Sequence, residues 1–199
     1  MPKTRQAVLL TRCPQFLGAL FILAVTAVPT WAEVIECVNL SGASDDDHRY
    51  YVVLCARESI PWGPGHAFVV WLEQAADGQV LDATGLGFYP SERPLIVRFF
   101  GIRGEIVDES TREASVEPTL LTHRLVCQVD RPTLLRSRSA LMKWHKAERN
   151  YRLLACNCKH FAYEIACAIG LKPPKPRVAE RPPAYINRVI DAASREDEQ

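Results

Sequence analysis

The chain has 199 residues, enough for one ordinary domain with a sizeable core, and a formal charge of +1 from 24 basic and 23 acidic residues. Nucleic-acid binding relies on concentrated positive charge, so a balance this close to neutral argues against a nucleic-acid partner.

Lys3, Arg5 and Arg12 precede an uncharged apolar run of thirteen residues, 16–28, and Pro29-Thr30-Trp31-Ala32 follows. Small residues stand at the two positions a signal peptidase reads, so residues 1–32 are predicted to be a signal peptide cleaved after Ala32. Thirteen apolar residues fall short of the ~20 that span a bilayer. Cys13 lies ahead of the run, unlike the cysteine of a lipoprotein signal. The mature chain of 167 residues keeps 21 basic and 23 acidic residues, a net of −2. It is expected in the periplasm or outside the cell, with no stable membrane insertion after processing. Six cysteines remain, Cys37, Cys55, Cys127, Cys156, Cys158 and Cys167. An exported protein can keep disulfides, and Cys37 with Cys55 is the expected pair, although six reduced thiols fit the sequence equally.

Residues 33–40 read as an edge strand, 41–49 as a polar surface loop and 50–56 as a strand by composition. Ile60-Pro61-Trp62-Gly63-Pro64-Gly65 excludes regular structure and delivers the chain into a strand opened by His66. Residues 66–72 and 79–84 pair naturally as an antiparallel hairpin about a turn at 74–78. Residues 85–90 read as a glycine-punctuated loop with exposed aromatics, without the lysine and spacing of a phosphate loop. Strands are expected at 95–100 and 104–108, and a polar loop at 109–118. In 122–129 the apolar positions 125, 127 and 129 face one way, the pattern of a half-buried strand.

Asp130 with Pro132 predicts a helix start, and the helix should run to about Glu148 with Leu134, Leu135, Leu141, Met142 and His145 as its buried stripe. Asn157 is a good N-cap for a second helix, whose apolar residues Phe161, Ile165, Ala168 and Ile169 recur at steps of three and four until Gly170 closes it. Two Pro-rich segments at 172–177 and 181–183 should form an extended strap. A short amphipathic helix is expected over 184–194, and the last five or so residues should be loose.

Cys158 is then the first residue inside a helix, where unpaired N–H groups and the positive dipole end favour a thiolate. Asn157-Cys158-Lys159-His160-Phe161 resembles the Asn-Cys-Glu-His-Phe box of the permuted NlpC/P60-like hydrolases, the papain-fold group that includes the lecithin:retinol acyltransferase-like proteins. Gly65-His66-Ala67-Phe68-Val69-Val70-Trp71 resembles the histidine strand of that group, which precedes the cysteine in the chain. The likeness covers roughly residues 61–171 and departs at Lys159, where the family usually has glutamate. It implies an α+β fold, an antiparallel sheet packed against helices in a circularly permuted papain-like domain over 33–171, with 172–199 as a C-terminal appendage.

Cysteine catalysis needs a thiolate nucleophile, an imidazole base and a group that orients the imidazole. Cys158 and His66 are expected in the first two roles and Asp82 in the third, with Thr84 and Asn157 as alternatives. No cofactor and no metal is expected: Cys156, Cys158 and His160 alternate across a helix start, a poor zinc geometry. The resemblance implies an exported cysteine hydrolase of amide or ester bonds, acting on a cell-wall peptide, a small molecule or a lipid acyl group. The opposing possibility is a catalytically silent binding module on the same scaffold, with Cys158 tied to Cys127 in a disulfide.

Overall fold

The computed structural model describes residues 34–41, 47–58, 65–91, 101–109 and 120–197. The expected signal peptide, the Trp62 loop, the expected strand at 95–100 and the expected loop at 109–118 apart from Glu109 lie outside the described residues. Among the described residues seven strands form one sheet: β1 (Val34–Asn39), β2 (His48–Glu58), β3 (His66–Ala75), β4 (Val80–Pro90), β5 (Ile102–Asp108), β6 (Leu120–Val129) and β7 (Asn150–Tyr151). Their spatial order is β1-β6-β2-β3-β4-β5-β7. Among the described residues three helices accompany it, α1 (Arg131–Lys146), α2 (Cys158–Ala168) and α3 (Pro182–Asp197), which makes the fold α+β.

The sheet is mixed, which corrects the expectation of a purely antiparallel one. Val34–Asn39 runs parallel to β6, with Cys37 opposite Val126, while the other pairs are antiparallel. β6 stands between β1 and β2, so Cys37 and Cys55 are separated by more than two ladder spacings, over about 9.6 Å. A disulfide needs Cα atoms within about 7 Å. The expected Cys37–Cys55 bridge therefore does not form, and none of the six cysteines among the described residues is in a disulfide.

Alternation along the central strands sorts the core into two faces. Val52, Leu54 and Ala56 of β2 with Ala67, Val69 and Trp71 of β3 pack against all three helices. Tyr51, Val53, Cys55, Phe68 and Leu72 form a separate apolar cluster on the opposite face. Residues 85–90 belong to β4 rather than to a loop. Phe88 is buried beside Trp144 and Tyr151, and Tyr89 is buried on the other side. The two glycines were misleading there, because in this strand they make room for neighbouring side chains.

α1 begins where Asp130 and Pro132 predict, and Asp130 Oδ1 accepts the Thr133 N–H at 2.8 Å. Its buried side differs from the expected stripe. Thr133, Leu134, Ser137 and Trp144 face inward, Leu135 and Met142 are about half exposed, and His145 is exposed. At 100° per residue Ser137 and Trp144 lie near Leu134, whereas Leu135 and Met142 lie far round the helix. Trp71 Nε1 donates to Ser137 Oγ at 2.8 Å, which satisfies a hydroxyl at a core position. α2 ends at Gly170 (φ +94°), where the Leu171 N–H reaches back to Ala166 O at 3.2 Å. α3 is longer than expected and reaches Asp197, beyond the point where a loose tail was predicted. Tyr185, Ile186, Val189 and Ile190 are its buried face.

Candidate functional site

Asn157 caps α2 with both ends of its amide. Its Oδ1 accepts the Lys159 N–H at 3.0 Å, and its Nδ2 donates to Leu153 O at 2.6 Å. The Asn157 carbonyl takes the N–H groups of His160 and Phe161. His160 Nδ1 is 3.2 Å from Asn157 Oδ1, an acceptor only, so Nδ1 is the donor in that pair. Asn157 is thus committed to the helix start and does not orient His66.

Cys158 follows as the first helical residue and is buried at 3% exposure. The N–H groups of Ala67 and Lys159, the Tyr151 hydroxyl and the charge of Lys159 all favour a thiolate. Burial outweighs them and pushes the thiol above its ordinary range. Tyr151, itself buried and bonded to the sulfur, is held in its protonated form.

His66 opens β3 and is buried at 8% exposure. It belongs to the set of His66, Phe68 and Leu72 that points away from the helices. Its ring stacks on Tyr89 with centroids 3.8 Å apart and planes at 22°. His66 Nε2 lies 3.6 Å from Glu109 Oε1. That oxygen accepts the Tyr89 hydroxyl at 2.8 Å, and Glu109 Oε2 meets the Arg57 guanidinium at 2.8 Å. Arg57 also donates to the Tyr89 oxygen at 2.5 Å and lies over the Phe68 ring. A Cβ at Gly87 would land on Glu109 Oε1 and His66 Nε2, so only glycine leaves room for this cluster on the sheet.

Cys158 and His66 therefore share the start of β3 but not a face. The sulfur sits against the Ala67 N–H among the helix-side residues, and the imidazole lies beyond the sheet with Tyr89 and Glu109.

Asp82 is elsewhere. It pairs with Glu73 in the β3–β4 register, seven residues along β3 from His66, about 23 Å away. Arg138 of α1 holds its Oδ2 at 2.7 Å, and Thr84 Oγ1 lies 3.5 Å from its other oxygen. The expectation that Asp82 orients His66 fails on register: a residue just past a hairpin turn pairs near the turn, not at the far strand end. Glu109 occupies the position expected of Asp82. The legible signal for it was an acid closing β5 opposite a Gly-x-Gly strand; Arg57, at the end of an apolar run, gave a weaker one. Among the described residues no group of three or more His, Cys, Asp or Glu is placed to hold a metal, and no helix is long and apolar enough to cross a membrane.

Comparison with family models, with curated proteins and with solved structures finds no match for this chain.

Proposed function

We propose that this chain is an exported, permuted papain-like module that works by binding rather than by bond cleavage, with Cys158 as a packed structural thiol. One observation carries this: the Cys158 sulfur and the His66 imidazole lie on opposite faces of the sheet, each with its own partners. A thiol nucleophile needs an imidazole within hydrogen-bonding reach, and a protonated, desolvated thiol attacks slowly. Tyr151, the side-chain group bonded to the sulfur, is held as a donor and is no base.

A cysteine hydrolase of amide or ester bonds is the second reading. It is favoured by the Asn157-capped helix start, where two backbone N–H groups converge on the sulfur as donors do in an oxyanion hole. It requires the His66 ring to reach the helix side of the sheet.

Iodoacetamide labelling at mildly acidic pH separates the two. Exported protein, with an N-terminus expected at Glu33, should leave Cys158 unmodified until it is unfolded. His66→Ala should not change that. Labelling of native Cys158 that falls in His66→Ala would reinstate the hydrolase.

A further inference from the structure

α1 carries Arg131, Arg136, Arg138, Lys143 and Lys146 and no acidic residue, on a mature chain whose net charge is −2. The helix is thus a locally cationic element of a molecule whose remaining residues carry more acid than base. The same helix leaves Leu135 at 53% and Met142 at 49% exposure, two turns apart on the side away from the core. With Arg138, Ser139, Lys143 and Lys146 they line a shallow depression of about 350 Å³. Among the described residues Asp82 meets this face, paired with Arg138 at 2.7 Å. Glu148, just past the helix end, faces Arg103 at 3.6 Å.

We infer that this face of α1 docks the protein on an anionic lipid surface. Lysine and arginine stems lie along apolar groups while their charges reach phosphates, and Leu135 and Met142 supply the shallow apolar contact of an interfacial helix. Size favours a lipid surface over a protein partner. A 16-residue helix is about 24 Å long, and one face about 10 Å wide offers roughly 240 Å², against about 800 Å² per partner in a stable protein complex. The face also lacks an exposed aromatic anchor of the kind that protein interfaces use. A fluid array of phosphates asks for neither area nor shape, only for clustered cations within a Debye length. This contact is peripheral and independent of whether Cys158 reacts, so vesicle binding and thiol labelling fail separately.

The test is co-sedimentation of the full chain with vesicles of phosphatidylglycerol and phosphatidylcholine, against vesicles of phosphatidylcholine alone. Binding should require phosphatidylglycerol at low salt and be lost at about 0.5 M salt. The Lys143→Glu/Lys146→Glu double variant should weaken it by at least about tenfold, and Leu135→Ser/Met142→Ser by several-fold, both with unchanged circular dichroism. Lys143→Arg/Lys146→Arg should bind as the parent does. Equal binding to both vesicle types, which the apolar run at 16–28 could produce, would overturn the proposal. So would indifference to the charge reversals, or binding to poly-glutamate but not to vesicles, which would make the partner an acidic protein.

Discussion

At the scale of single residues, buried charge is the feature composition conceals best. Arg57 and Glu109 are both buried, and their side chains are paired with each other and with Tyr89. Removing one partner of a buried pair leaves the other without compensation, at a cost of about 3–5 kcal/mol. Glu109→Ala should therefore lower the urea-unfolding free energy by about that much. Replacing both, as Arg57→Met/Glu109→Leu, should recover a large part of the loss. A Glu109→Ala variant as stable as the parent would mean that the cluster contributes nothing to folding. Asp82 makes the contrasting case. Its bridge to Arg138 is half exposed on both sides, where an ion pair contributes about 0–1 kcal/mol. Cys158 was legible as a helix-start cysteine, but its titration depends on burial, which no local spacing reports.

At the scale of elements, Lys159 explains how the Pro-rich segment is held. The lysine is buried with its Nζ donating to Arg177 O at 2.7 Å and Glu180 O at 2.6 Å. Arg188 adds an ion pair with Glu180 Oε1 at 2.7 Å and donates to Lys175 O at 2.9 Å. A segment without ladder bonds thereby gains fixed partners on α2 and α3. Pro183 packs where a Cβ on Gly65 would fall, so the segment also covers the entry to β3. Lys159→Met keeps the apolar stem and deletes the two charged bonds, at about 1–3 kcal/mol. Hydrogen exchange should show the amides of residues 172–181 losing protection while those of β2 and β3 keep theirs. Uniform loss across the domain would show that the strap does not open as a separate unit.

At the scale of the whole molecule, two histidines tie stability to pH. Burial, first of all, lowers the pKa of His123 and of His160 below 6.5, against a smaller upward effect from Glu58 at His123. Between the lowered folded value and 6.5 the unfolded chain binds more protons than the folded one, so stability rises with pH in that window. The contribution is complete above about 6.5 and is lost as the pH falls below it. Asp130, whose carboxyl is held low by Thr133, acts only in a window below about 3.8. The urea midpoint should thus drop between about pH 7.5 and about pH 5.5, and His123→Gln/His160→Gln should flatten that drop. A midpoint that rises on acidification would contradict the sign.

Much of the element plan was legible because it is local. Asp130 with Pro132, Asn157 before an apolar period of three and four, and Gly170 at a left-handed turn each specify a helix end within a few residues. Composition in β2, hairpin pairing in β3 and alternation in β6 specified strands the same way. The side on which those elements meet is not local. One strand of alternation decides that Ala67 touches α2 and His66 does not, and whether an odd or an even residue faces a helix depends on how the sheet packs. The β3–β4 register decides that Asp82 stands near the turn, and the β4–β5 register brings Glu109 beside His66. The parallel pairing of β1 with β6 joins strands some 90 residues apart in the chain. By itself, the sequence determined the α+β class and placed Cys158 at a helix start and His66 at a strand start. Only the tertiary structure decided that these two lie on opposite faces, because the residue period along a strand is two and the choice between its faces is made by packing.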